Sequence, residues 1–170
     1  MTINPGESLS VARKKIIDAM EEERVETERK IAELIAKKNA KEEDKREAAK
    51  NGDLSENAEY HNAVEELVAI TEQLSNLYVI SEAYKSPVYN ALTAPTDRDY
   101  IDVGTVVRLR HHSGKEFVWM LVPSEFARIE NNTLSSRSPA GSHLVGMTAG
   151  ESFTINIKGS TIHYTIEEVL

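Results

Sequence analysis

The amino-acid sequence predicts an α+β protein: an N-terminal antiparallel α-helical coiled coil followed by a small, mainly antiparallel β domain. Three observations carry this expectation. Between Gly6 and Gly104 the only glycine is Gly52, and no proline stands between Pro5 and Pro87. The residues after Gly52 repeat apolar side chains at three- and four-residue steps. Beyond residue 115 the texture changes, with all three Phe, the single Trp and several short alternating runs bounded by turn residues.

The helices come first. Proline and glycine interrupt a helix at about 3 and 1 kcal/mol respectively, so their absence permits two long helices with one break at Asn51-Gly52. After the break, Tyr60, Ala63, Val64, Leu67, Ile70, Leu74, Leu77 and Tyr78 make one apolar stripe. As heptads, Tyr60, Leu67 and Leu74 occupy one seam position, with Val64 or Ala63, Ile70 and Leu77 at the other. Before the break, Ile16, Ile17, Met20, Ile31, Leu34 and Ile35 make a broken stripe. Residues 37–50 offer only alanines; Ala40, Ala48 and Ala49 would let the helices approach closely there. Two stripes around one short turn imply antiparallel neighbours. Helices of about 35–40 residues would reach roughly 50–60 Å, with the turn at the far end.

The expected division is a coiled coil over 1–85, a linker over 86–99 containing Pro87, Pro95 and "TAPTDRD", and a β domain over 100–170. Its candidate strands are 104–111, 115–122, 125–130, 151–158 and 160–169, with turns at Ser113-Gly114, Asn131-Asn132 and Lys158-Gly159. In "STIHYTIEEV", Ile162, Tyr164 and Ile166 share a face. "SHLVGMTAG" (142–150) reads as a short helix or turn, and Phe117 and Trp119 read as domain core.

The chain has 170 residues, a formal net charge of −8 and a pI near 5.2, so bulk attraction to nucleic acid or an anionic membrane is not expected. Without cysteine it has neither disulfides nor thiolate metal sites, which suits a reducing compartment. With no signal-like N-terminus and no membrane span, the expectation is a cytoplasmic monomer with no membrane partner. Residues 1–84 carry a net charge of −7, in keeping with solvated helix surfaces. Lys41, Lys45, Arg46 and Lys50 could form a basic face beside the turn, although acids are interspersed. His111 and His112 lie in a candidate strand, where neighbours point to opposite faces, and His61, His143 and His163 lack ligand spacing. No glycine-rich phosphate loop or nucleophile elbow is present.

The break itself reads "NGDLSENAEY" (51–60). Asp53 and Glu56, three apart, fit a capping box that starts the second helix. They equally fit a pair of hard oxygen donors for Mg²⁺, incomplete alone but able to complete a site in a partner. Spacing leaves both readings open.

"GDLSENAEY" (52–60) resembles the tip motif of the Gre transcript-cleavage factors, and "SPAGSHLVGMTAGESFTI" (138–155) resembles a stretch of that family's C-terminal domain. The resemblance implies an FKBP-like C-terminal domain that docks on bacterial RNA polymerase while the coiled coil enters its secondary channel. It implies that Asp53 and Glu56 are catalytic there: they would help hold a Mg²⁺ shared with the polymerase and position the attacking water. The polymerase then cleaves the backtracked nascent RNA at its 3′ end by two-metal hydrolysis. Asn57, Glu59 and Tyr60 match the motif as tip support. No cofactor is expected on the chain alone, and it would activate another enzyme rather than be one. The first helix departs from the family pattern: Ala49 stands where the family carries Arg, and its Arg-Pro-x-Ile stretch is absent. Two alternatives remain: a secondary-channel regulator that binds without promoting cleavage, and a prolyl isomerase, for which the aromatic content is thin.

Overall fold

The structure is a computed structural model that describes residues 3–4, 6–50, 57–96, 98–157 and 159–170. Helices α1 (Leu9–Ala48), α2 (Ala58–Lys85), α3 (Pro87–Thr93) and α4 (Pro139–Leu144) accompany strands β1 (Val106–His111), β2 (Glu116–Val122), β3 (Thr133–Ser135), β4 (Ser152–Ile157) and β5 (Ser160–Val169). The chain forms two compact units, residues 23–84 and residues 1–22 with 85–170.

In the helical unit, α1 and α2 run antiparallel, since their partners step down one helix as they step up the other. Ala48 meets Asn57, Lys41 meets Glu66, and Ile31 clusters with Ile70 and Leu74. Along α2 the buried residues are Ala63, Ile70, Leu74, Ser81 and Tyr84, a heptad seam in which Ala63, not Val64, faces inward. Tyr78, expected in this stripe, is 44% exposed: the turn of the helix at 78 falls between seam positions. On α1 the inward side does not fade after Leu34. It continues through half-buried Lys38, Lys41 and Lys45 to Ala48, whereas Ala40 and Ala49 are exposed. Lysine can occupy such positions because its methylene stem packs while the ammonium reaches water.

The other unit holds a five-stranded sheet in the order β3-β2-β1-β5-β4, antiparallel except for the β2–β3 pair. One face carries the core: Ile101, Val107, Leu109, Leu121, Leu144, Phe153, Ile155 and Ile166, with Trp119, Ile162 and Tyr164 packed against it. The expected strand at 125–130 is not formed. Two 3-10 turns, Ser124–Phe126 and Ile129–Asn131, occupy it instead, and Asn132 in the left-handed region delivers the chain to β3. This crossover makes β3 parallel to β2. Within the expected linker, Ser86 caps α3 by accepting from the Tyr89 N–H, with Pro87 at the first helical position. Arg13 donates to the carbonyls of Leu92 and Ala94, and Arg108 donates to the Glu7 carbonyl and pairs with Glu168. Burial lowers the Arg13 pKa. Among the described residues no helix is long and apolar enough to cross a membrane.

Candidate functional site

The site predicted from sequence lies where α1 ends and α2 begins, and its two carboxylates, Asp53 and Glu56, lie outside the described residues. The structure describes the residues on either side of them, through Lys50 and from Asn57 onward. The residue that starts α2 is Asn57: its Oδ1 accepts the Tyr60 N–H at 3.0 Å, and its carbonyl accepts the His61 N–H at 3.1 Å. That is N-cap geometry, with the third helical residue bonded to the capping side chain. The capping box read from sequence, with Asp53 as cap and Glu56 as its partner, therefore does not start α2; the cap sits four residues later.

The same carboxamide makes a second bond. Its Nδ2 donates to the Ala48 carbonyl at 2.7 Å, one of the carbonyls that α1 leaves without an intrahelical partner. One side chain thus joins the last turn of α1 to the first turn of α2. Next to it Tyr60, half-buried, carries the Lys45 ammonium 5.5 Å from its ring centroid. Glu59 is exposed in the first turn of α2, where a carboxylate favours the helix dipole.

The four basic residues of the proposed face part ways. Lys41 and Lys45 turn toward α2. Lys41 reaches Asp44 at 3.2 Å and Glu66 at 3.4 Å, and these bonds raise its pKa, Asp44 first. Arg46 and Lys50 are exposed and pair with Glu43 and Glu47 on α1 itself. The intended basic strip is consequently two inward lysines and two outward, neutralised cations. Beside them, a groove over Ala48 and Ala63 is lined by Glu43, Glu47, Glu59 and Glu66. No group of three His, Asp or Glu suited to a metal occurs among the described residues.

In the sheet unit, His111 and His112 do not point to opposite faces. β1 ends at His111 and His112 enters the turn, so the alternation stops between them and the rings lie 4.0 Å apart. His111 Nδ1 accepts the Ser113 N–H at 3.1 Å; burial, then His112 and Lys115, lower its pKa. The "SPAG" of the downstream motif has a local structural cause. Ser138 caps α4 by accepting the Gly141 N–H at 3.0 Å and donates to the Ser135 carbonyl at 2.7 Å. Pro139 takes the first helical position, and a Cβ on Gly141 would stand 2.0 Å from the Ser135 oxygen. Only glycine fits there.

Residues 95–170 match the family described as "Transcription elongation factor, GreA/GreB, C-term". A transcription elongation factor GreA of Chlorobaculum tepidum is 32% identical over 146 residues, covering 85% of this chain and 83% of that one. Another, of Chloroherpeton thalassium, is 36% identical over 121 residues, covering 71% and 74%. A solved structure of a prokaryotic transcription elongation factor GreA/GreB from Nitrosomonas europaea aligns with TM-score 0.38 and 21% identity, over 56% of this chain and 91% of that one. With relatives above 30% identity matched over most of their length, this chain belongs to the GreA/GreB family of transcription elongation factors.

Proposed function

We propose that the chain binds bacterial RNA polymerase, inserts the α1–α2 turn into its secondary channel, and stimulates the polymerase's own cleavage of backtracked transcripts. The observation that carries this reading is the start of α2 at Ala58, capped by Asn57. With the cap supplied there, Asp53 and Glu56 of "GDLSENAEY" are not required to start the helix. Two hard oxygen donors on a helix-pair turn fit Mg²⁺, which commonly takes one or two protein carboxylates and fills its remaining positions from elsewhere. When bound between factor and polymerase, the ion would act beside the polymerase's own, one ion lowering the pKa of the attacking water and the other stabilising the leaving oxygen. This chain's part is to bring Asp53 and Glu56 to that place, where both would hold the ion and position the water, with Asn57, Glu59 and Tyr60 as tip support. The chain is then a cytoplasmic activator, and the covalent chemistry belongs to the polymerase.

The test uses a stalled, backtracked polymerase complex with Mg²⁺ and follows release of short 3′ RNA fragments. Addition of the protein accelerates release, and Asp53→Asn removes the acceleration while polymerase binding persists. Binding without acceleration by the wild-type chain would make it a channel regulator that does not promote cleavage. Substantial cleavage by Asp53→Asn would count against the metal role.

A further inference from the structure

We infer that Asn57 is a positioning residue for the tip carboxylates: its side chain clamps the last turn of α1 to the first turn of α2, and so closes the base of the eight-residue segment 49–56 that carries Asp53 and Glu56. The inference rests on the function proposed above, but its geometry stands independently. A helix cap needs only an acceptor, which Asn57 Oδ1 provides to the Tyr60 N–H. The second bond, Nδ2 to the Ala48 carbonyl at 2.7 Å, adds nothing to the cap of α2; it acts on the other helix. A carboxamide is the side chain of this length that accepts and donates at once. The lever is favourable as well. The clamped groups are nine residues apart in sequence but joined through one side chain, which holds the two ends of the intervening segment together. Positioning of this kind acts on the reaction through geometry, where displacement by about 1 Å can lower a rate a hundredfold.

The clamp and the cap separate by substitution. Asn57→Ser keeps a capping oxygen and adds no charge, but its hydroxyl ends one bond short of the Nδ2 position. Asn57→Asp keeps both the cap and the reach, yet at neutral pH has no proton to give the Ala48 carbonyl. Serine, aspartate and asparagine are near-equal N-caps, so a residue that only capped would tolerate both. Two measurements decide the matter. In the free protein, hydrogen exchange of the Ala49 and Lys50 amides, which close the end of α1 on Lys45 and Glu47, should accelerate about fivefold in Asn57→Ser, the worth of one neutral hydrogen bond. With backtracked polymerase, both variants should lose about tenfold or more of the maximal cleavage stimulation at unchanged half-saturating concentration. Unchanged exchange overturns the clamp. Faster exchange with wild-type stimulation overturns the positioning role. A wild-type protein that stimulates nothing sinks the function proposed above, and the exchange rates alone then judge the clamp.

Discussion

In the sheet unit, one face of five strands gathers eight buried apolar residues into a single cluster, with further aromatic and aliphatic side chains packed against it. In the helical unit, the cluster is Ile31, Ile70 and Leu74, supported by Leu34 and Leu77. The sheet is closed by burial; the helix pair is closed by a narrow seam that becomes polar toward its turn. There Lys38, Lys41 and Lys45 take the inward positions and Tyr60 and Asn57 bind across. A helix pair built this way places its apolar stabilisation away from its turn. Substitutions near the turn should therefore change chemistry more than folding, and those in the cluster the reverse.

The sharpest break of this contrast is Ile70→Asp. The side chain is 2% exposed, and a carboxylate there faces Ile31 with no partner. The expected loss is about 4 kcal/mol of helical-unit stability, read by denaturant unfolding followed by far-UV circular dichroism. A loss under about 1 kcal/mol would mean that the apolar seam is not what holds the pair. Next in size is Gly141→Ala in the sheet unit. Its new methyl meets the Ser135 backbone oxygen, so about 2 kcal/mol of destabilisation is expected in thermal melts, with the helical unit unaffected. The third works in the opposite direction: Lys41→Leu extends the apolar seam by one position. A gain of about 0.5–1 kcal/mol is expected; destabilisation would show that the pairs to Asp44 and Glu66 outweigh burial at that end.

The smallest expected effect is one of pH. Arg29, then Lys30, hold the Glu26 carboxyl down to about 2, against an ordinary value near 4.5. A carboxyl depressed in the folded state stabilises above about 4.5 and loses that contribution as pH falls toward 2. Glu26→Gln should therefore flatten the decline of helical-unit stability between pH 5 and pH 2.5, and approach the wild type only as pH nears 2. The group is solvent-accessible, so screening keeps the change small.

Much of this was readable from the residues, for physical reasons. The helix pair follows from where glycine and proline are absent, and the α2 seam follows from heptad spacing, because burial along α2 is apolar nearly throughout. The α1 seam is only half readable: the apolar stripe ends at Leu34 and Ile35, of which Ile35 is exposed, while the inward face continues through lysine stems. Helix α3 had a legible signal, Ser86 before Pro87, overlooked because a proline-marked stretch reads as linker. β3 was invisible, since a three-residue strand holds less than two periods of alternation and its parallel register depends on two 3-10 turns. The cap of α2 is ambiguous in sequence because Asp53, Ser55 and Asn57 are all residue types competent as N-caps, and spacing does not say which accepts the third helical N–H; in the structure Asn57 Oδ1 takes it from Tyr60.

The inward lysines also make the turn-proximal end of the helix pair sensitive to ionic strength. Added salt weakens exposed ion pairs within a Debye length of about 8–10 Å at 0.1–0.15 M and leaves apolar contacts intact. The bond of Lys41 to Glu66 crosses between the helices and is partly open to solvent, whereas Ile31, Ile70 and Leu74 hold no charge. Raising the salt concentration should thus loosen the turn-proximal end while the body of the pair stays closed. In Lys41→Leu that dependence should be reduced.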